Sequence, residues 1–319
     1  MKFLRMLTNY WKDFFLYVRF SNVFWEKESL EKIEAKIILH YHAIEKGFLH
    51  EKLKLGFGRE RILKLHTYLA LDLIRDNRDR SQIFAAYQII CKYYEVHEAN
   101  NFKISDYYTE TQYNSYSDLL GDKFDRNYRG VIEYQRDNFY LKNQESFDEF
   151  SESRKSIRTF NGELVDHKLI EKAVKLALNA PSVCNRQATR VYLLEDSEKI
   201  KAALRIQGGF SHFLDDVKQL LIVTNDRKYY YTIGERNQFY IDGGIFLMNL
   251  LYSLHFYQIA CCPANWGKEI SHERRLSQFV SIPESEKIIC MIPIGIATDR
   301  FRVTLSKRRT VDEVIRHLN

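Results

Sequence analysis

With 13 glycines and 4 prolines in 319 residues, this chain has little of the punctuation that turns require. A sandwich or barrel of many short strands needs such residues at most of its connections, so an all-β fold is excluded. Segments must run long, and helices are the elements that do so. Hydrophobic residues make up 45% and charged residues 28% of the chain. That is enough apolar material for a packed core and too balanced a composition for wholesale disorder. Mean hydropathy is −0.40, and no apolar run approaches the roughly 20 residues that span a bilayer. No transmembrane segment is expected.

Lys and Arg number 48 against 42 Asp and Glu, a net charge of +6. The excess is mild, and no Lys/Arg block marks a nucleic-acid partner. The cysteines, Cys91, Cys184, Cys261, Cys262 and Cys290, are odd in number and lack C-x-x-C spacing. Neither a disulfide framework nor a zinc or other metal site is expected, and a reducing cytoplasm is the natural compartment. The first residues are basic and apolar, but Asn9, Lys12 and Asp13 interrupt the run and no small-residue cleavage site follows. A secretory signal is therefore not expected. Phe14, Phe15, Leu16, Val18 and Phe20, with Lys12 and Arg19, leave room for peripheral contact with a membrane. A helix packed on its own protein or on a partner subunit is the plainer reading.

The pattern divides the chain in two. Residues 1–149 read as mainly helical, with apolar stripes at helical spacing over 27–47, 62–74 and 83–97. A Tyr/Asn/Asp-rich stretch of weak periodicity follows over 100–130, ending in a helix before Ser146. Residues 150–319 alternate. Helices are expected at 168–179 (capped by Asp166), 198–205, 235–257, 272–280 and 311–318. Strands are expected at 190–194, 219–224, 258–262 and 287–296. The expected class is α+β, a mixed sheet flanked by helices and preceded by a helical region.

Nucleophile elbows, Walker loops and H-E-x-x-H are all missing. Gly208-Gly209 and Gly243-Gly244 read as a turn and a close helix–helix contact. His40 and His42 fall on different helix faces, a poor metal arrangement. What remains is four polar stations. In Ser153-Arg154-Lys155-Ser156-Ile157-Arg158, an extended or one-turn geometry turns two guanidinium forks and a hydroxyl to one side, which suits a phosphate or a polyol. In Pro181-Ser182-Val183-Cys184-Asn185-Arg186-Gln187, Pro and Ser end a helix, and Asn185 and Gln187 offer amides. In Cys262-Pro263-Ala264-Asn265, small residues leave backbone N–H groups open to a ligand. Ser306-Lys307-Arg308-Arg309 is a further anion site.

These stations in this order resemble the FMN-dependent nitroreductase family over residues 150–319. Ile241–Leu251 resembles that family's long central helix, and residues 288–295 its late strand. The resemblance implies that Arg154, Ser156 and Arg158 bind the flavin phosphate, ribityl chain and pyrimidine edge. It implies that Pro181, Ser182, Asn185 and Gln187 reach the flavin of the other subunit in a homodimer. Pro263, Ala264 and Asn265 would approach the ring near N5, and Lys307 and Arg309 would add a phosphate pair. The implied cofactors are FMN, with NADH or NADPH as electron donor, and the implied activity is ping-pong reduction of a second small molecule. No catalytic acid or base is implied, because the ring performs the redox step.

Three positions depart from the family pattern: Ala188-Thr189 replaces Pro-Trp, Gln258 replaces a Gly, and Thr310-Val311 follows Arg309 where a Pro is usual. His42-Ala43-Ile44-Glu45-Lys46-Gly47 with Phe57-Gly58 is similar to helical extensions of nitroreductase-like proteins that accompany polysaccharide-biosynthesis genes. His42 and Glu45 read as a helix-end hydrogen bond or salt bridge. The alternative function is a non-catalytic or weakly flavin-binding interaction protein of polysaccharide biosynthesis.

Overall fold

The structure is a computed structural model that describes residues 2–20, 29–230 and 232–318. The beginning of the helix expected over 27–47 lies outside the described residues. The chain forms two compact units, residues 1–132 with 304–319, and residues 133–303. The sequence division at 149/150 marks where the family pattern begins. The compact units divide elsewhere, because the last 16 residues join the first unit.

The first unit is helical: α1 (Lys2–Phe20), α2 (Leu30–Gly47), α3 (Arg59–Leu69), α4 (Asp72–Arg75), α5 (Ser81–Ala99) and α6 (Glu110–Leu120). Ser29 caps α2 by accepting from the Lys32 N–H. Ile33, Ile37 and Ile44 of α2 meet Ile62, Leu65 and Leu69 of α3 and Ile83, Tyr87 and Ile90 of α5 in one core. The single helix expected over 62–74 breaks between Leu69 and Asp72, giving α3 and α4. Helix α6 falls inside the stretch of weak periodicity. Its start is a capping box between Thr109 and Gln112. Its inner face is aromatic and polar: the Tyr116 hydroxyl lies 2.8 Å from His66 Nδ1, and Tyr113 donates to Glu95. Buried tyrosines are tolerated where the hydroxyl finds such a partner.

The chain then crosses as strand β1 (Val131–Gln135) and passes through α7 (Arg136–Phe139) and α8 (Phe147–Ser153). A longer helix before Ser146 was expected; a strand and single turns stand there instead. The second unit continues with α9 (His167–Ala177), β2 (Thr189–Leu194), α10 (Ser197–Gln207), β3 (Gln219–Asp226) and α11 (Gln238–Phe256). It ends with β4 (Ala260–Cys261), β5 (Ala264–Asn265), α12 (Ile270–Leu276), β6 (Glu286–Gly295) and β7 (Arg300–Thr304). The order β2-β3-β6-β4, with β5 also on β6, is antiparallel throughout. β7 pairs with β1 in a two-stranded ribbon. The terminal helix is one turn, α13 (Val311–Val314), shorter than the 311–318 expected.

Strand β3 is buried along its whole length, and α11 packs over it with α9. Phe246, Leu250 and Leu254 of α11 meet Leu221 and Val223 of β3 and Ile292 of β6. Gly243 permits this approach: a Cβ there would lie 2.7 Å from the Ile289 side chain. The close contact is thus helix on strand, where the sequence suggested helix on helix. Among the described residues no helix is long and apolar enough to cross a membrane.

Gln258 was expected to open a strand. It sits instead just past α11 at φ +58°. Its N–H donates to His255 C=O and the Ile259 N–H to Leu254 C=O, at 2.9 and 2.8 Å. That is a Schellman cap with Gln in the left-handed position where Gly is usual, which explains the departure from the family's glycine. A side chain there costs roughly 1 kcal/mol. Gln258→Gly is expected to raise unfolding stability by about 0.5–1 kcal/mol in urea titrations. A loss of stability would show that the glutamine side chain makes a compensating contact.

Candidate functional site

The Arg154 station begins where α8 ends. Ser153 Oγ lies 2.7 Å from His255 Nε2, near the C-terminus of α11. From Arg154 the backbone turns extended. The Ile157 N–H donates to Cys261 C=O and the Asn161 N–H to Ile296 C=O, both at 2.9 Å. Phe160 forms a bridge to Ala297, and it packs so closely on Gly295 that a Cβ there would meet its ring. Ile157 is buried, while Ser156 and Arg158 on either side are half-buried.

The same hydrogen bond to Cys261 joins this segment to the Pro263 station. Cys261 pairs with Ile294, Ala264 with Met291 and Asn265 with Cys290, so the chain runs on antiparallel along β6 through the loop. The Cys262 N–H donates to Pro293 C=O, and Gln207 Nε2 donates to Asn265 C=O at 2.9 Å. Ala264 is buried, Pro263 half-buried and Asn265 exposed. Arg154, Ser156 and Arg158 therefore adjoin β4 at the Gly295 end of β6, and the Pro263–Asn265 loop runs from there to the middle of that strand.

The charge there comes from arginine. Arg154 Nη1 is buried and has no hydrogen-bond partner among the described residues. Burial, then the charges of Arg154 and Lys155, push His255 down to about 4. This histidine is neutral at pH 7, so its contact with Ser153 carries no charge. Cys261 is raised to about 12 by burial, with Arg154 opposing; it is no thiolate. Ser153 opens the station read from the sequence, whereas its partner His255 was not singled out. The only signal for His255 is a histidine in the last turn of the central helix, three residues before the cap.

The Pro181 station lies at the other end of the sheet. Cys184, Asn185 and Gln187 all have φ near +50°, a run of non-glycine residues in a sparsely populated region. The Val183 N–H donates to the Asp242 carboxylate at 3.3 Å. That buried aspartate, in the N-terminal half of α11, also accepts from Tyr230 and Gln238. Arg186 makes a two-pronged pair with Glu235, at 2.9 and 2.8 Å. Ser182 Oγ accepts from the Gln187 N–H, and Gln187 Nε2 donates to Asn185 Oδ1. Pro181, Asn185 and Gln187 are exposed. In place of Pro-Trp, Ala188 is buried and Thr189 Oγ1 accepts from Asn225.

Two independent rulers separate this station from Arg154. Asp242 and His255 are 13 residues apart on α11, roughly 20 Å at 1.5 Å per residue. Thr189 pairs with Asn225 and Asn225 with Lys287, whereas Ala260 pairs with Gly295. Along β6 that is roughly 25 Å. Within one chain the two stations do not meet.

Lys307 and Arg309 belong to the first unit. There Arg309 Nη2 donates to Glu34 Oε2 at 2.8 Å, and Arg80 holds the same carboxylate with two hydrogen bonds of 3.0 and 2.9 Å. Gln82 Nε2 donates to the Lys307 carbonyl. Glu313 accepts from the Ser81 N–H and hydroxyl and is lowered to about 2, these bonds and those from Thr310 outweighing its burial. His42 and Glu45 lie 2.9 Å apart on α2, as a helix-end pair would. Among the described residues no group of three His, Cys, Asp or Glu could hold a metal ion.

Residues 152–296 match the model of the Nitroreductase family, a match wholly within the second unit. The resemblance expected for that half of the chain is borne out. Similar solved structures include a nitroreductase-like protein from Streptococcus mutans (18% identity, TM-score 0.46), which covers 54% of this chain and 98% of its own. An FMN-dependent nitroreductase from Clostridium difficile R20291 is 18% identical, with TM-score 0.42 and coverage of 53% and 97%. A nitroreductase family protein from Clostridium novyi NT is 18% identical, with TM-score 0.42 and coverage of 48% and 86%. No curated protein sequence matches the chain.

Proposed function

We propose that the nitroreductase-family domain at residues 152–296 belongs to an FMN-dependent oxidoreductase that works as a homodimer. The observation that carries this reading is Arg154. A buried guanidinium nitrogen without a partner costs free energy, and an anion at that point removes the cost. Arg158 and Ser156 extend the same edge, and the Pro263–Asn265 loop adjoins it through Cys261. Arg154, Ser156 and Arg158 would hold the phosphate and the pyrimidine edge, and Pro263, Ala264 and Asn265 would line the ring. Lys307 and Arg309 are proposed for the phosphate as well, although Arg309 is engaged by Glu34.

The homodimer accounts for the Pro181 station. Pro181, Ser182, Asn185 and Gln187 lie too far from Arg154 to serve the same ligand within one chain, and a second copy can bring its own. An exposed apolar stripe supports such pairing: Tyr240, Ile241, Ile245 and Met248 line one side of α11. A Cβ on Gly244 beside them would have nothing within 4 Å. Surfaces of this kind mark association sites.

Held by Arg154, Ser156, Arg158 and the Pro263–Asn265 loop, FMN would supply the redox chemistry between NADH or NADPH and a second small molecule. The chain's own part is to orient the ring and to set positive charge beside it. With His255 neutral and Cys261 protonated, neither of these two side chains is poised to move a proton. The test is to run the halves apart. FMN-loaded protein should be fully bleached by NADH or NADPH without an acceptor. After the nicotinamide is removed, a quinone should restore the colour. A reaction that proceeds only with both substrates present would refute the ping-pong scheme.

A further inference from the structure

We infer that α1 is a membrane-surface helix that seats the protein on anionic lipid. In α1 the side chains of Phe3, Leu4, Leu7, Tyr10, Trp11, Phe14 and Phe15 are 47–68% exposed. At 100° per residue they fall within an arc of about 140°. Arg5 and Lys12 stand on the opposite side, with Thr8 and Asn9 flanking them. Such a face left in water is unfavourable, since each large apolar side chain gains roughly 1.5–3 kcal/mol on burial.

Charge and composition together select the occupant. Lys2, Arg5, Lys12 and Arg19 against Asp13 give the helix a net charge of +3. That matches an anionic lipid surface, and a second copy of the same helix would repel it. Three phenylalanines, a tryptophan and a tyrosine on the apolar arc suit the boundary between headgroups and acyl chains. No described helix can cross a bilayer, so α1 lies in the surface plane. This inference stands on α1 alone and is independent of the flavin reading.

The test is co-sedimentation of the full chain with large unilamellar vesicles. Phosphatidylcholine vesicles holding about 30 mol% phosphatidylglycerol are compared with phosphatidylcholine alone. Wild-type protein should bind the anionic vesicles at least tenfold more tightly, and salt should weaken that binding. Trp11→Glu with Phe14→Glu should abolish binding to both. Arg5→Glu with Lys12→Glu should remove the preference for anionic lipid. Circular dichroism and urea unfolding report whether each variant is folded. Absence of wild-type binding, or its survival in the Trp11/Phe14 variant, overturns the proposal. So does a wild-type oligomer that the Trp11/Phe14 substitutions dissolve in the absence of lipid binding.

Discussion

Replacing Arg154 by alanine is expected to lower FMN affinity roughly 10- to 100-fold, the range for losing a charge-assisted hydrogen bond of about 1.5–3 kcal/mol. The apo protein should be as stable as wild type or slightly more so. Its Nη1 atom is buried without a partner, and deleting an unsatisfied donor removes a cost. Riboflavin separates the phosphate from the ring. If Arg154 holds the phosphate, Arg154→Ala weakens FMN but not riboflavin, and the preference for FMN collapses. Fluorescence titration with both ligands reads this directly. Equal weakening of both would place Arg154 at the ring, and unchanged FMN affinity would remove it from the site.

The second large effect lies in the helical unit. Glu34 is 1% exposed and accepts from Arg80 and Arg309. Burial alone would raise its pKa, but the two guanidinium groups hold it below the usual carboxylate range. The carboxylate ties α2 to the start of α5 and to the chain's last segment. Glu34→Ala leaves two guanidinium groups facing each other without their shared anion. Breaking a fully buried pair costs about 3–5 kcal/mol. The arginine side chains here keep 28% and 34% of their exposure, so about 2–3 kcal/mol is expected in urea unfolding. Arg309→Ala should cost less, because Arg80 remains on Glu34. A change within about 0.5 kcal/mol for Glu34→Ala would mean that solvent replaces the network at no cost.

These two residues also mark what a reader of the sequence can and cannot see. Arg154-Lys155-Ser156-Ile157-Arg158 is legible because its chemistry is contiguous: two guanidinium groups and a hydroxyl stand within five residues. The long α11 and the strands β3 and β6 are legible because their apolar runs are long. Helix α6 is not, because its inner face is built of tyrosines satisfied by distant histidine and glutamate partners. Strands β1 and β7 are short and charged, and Arg300 and Arg302 of β7 both hold Glu133 of β1. β7 does alternate, as Arg300-Phe301-Arg302-Val303, but it is five residues long and its partner Glu133 lies far off in the chain, so no local signal marks the ribbon. Arg309 reads as an anion ligand from its basic neighbours, and the sequence gives no hint of its hydrogen bond to Glu34, 275 positions away. No local pattern carries such a pairing. Gln258 shows the reverse: an irregularity in the family pattern became intelligible once its positive φ was seen.

The measurement that tests the central claim most directly is the visible spectrum of the full-length protein, loaded with FMN and freed of excess, before and after anaerobic NADH or NADPH. The account predicts one FMN retained per chain, with bands near about 370 and 450 nm that the nicotinamide bleaches. A colourless protein that takes up no added FMN would contradict it.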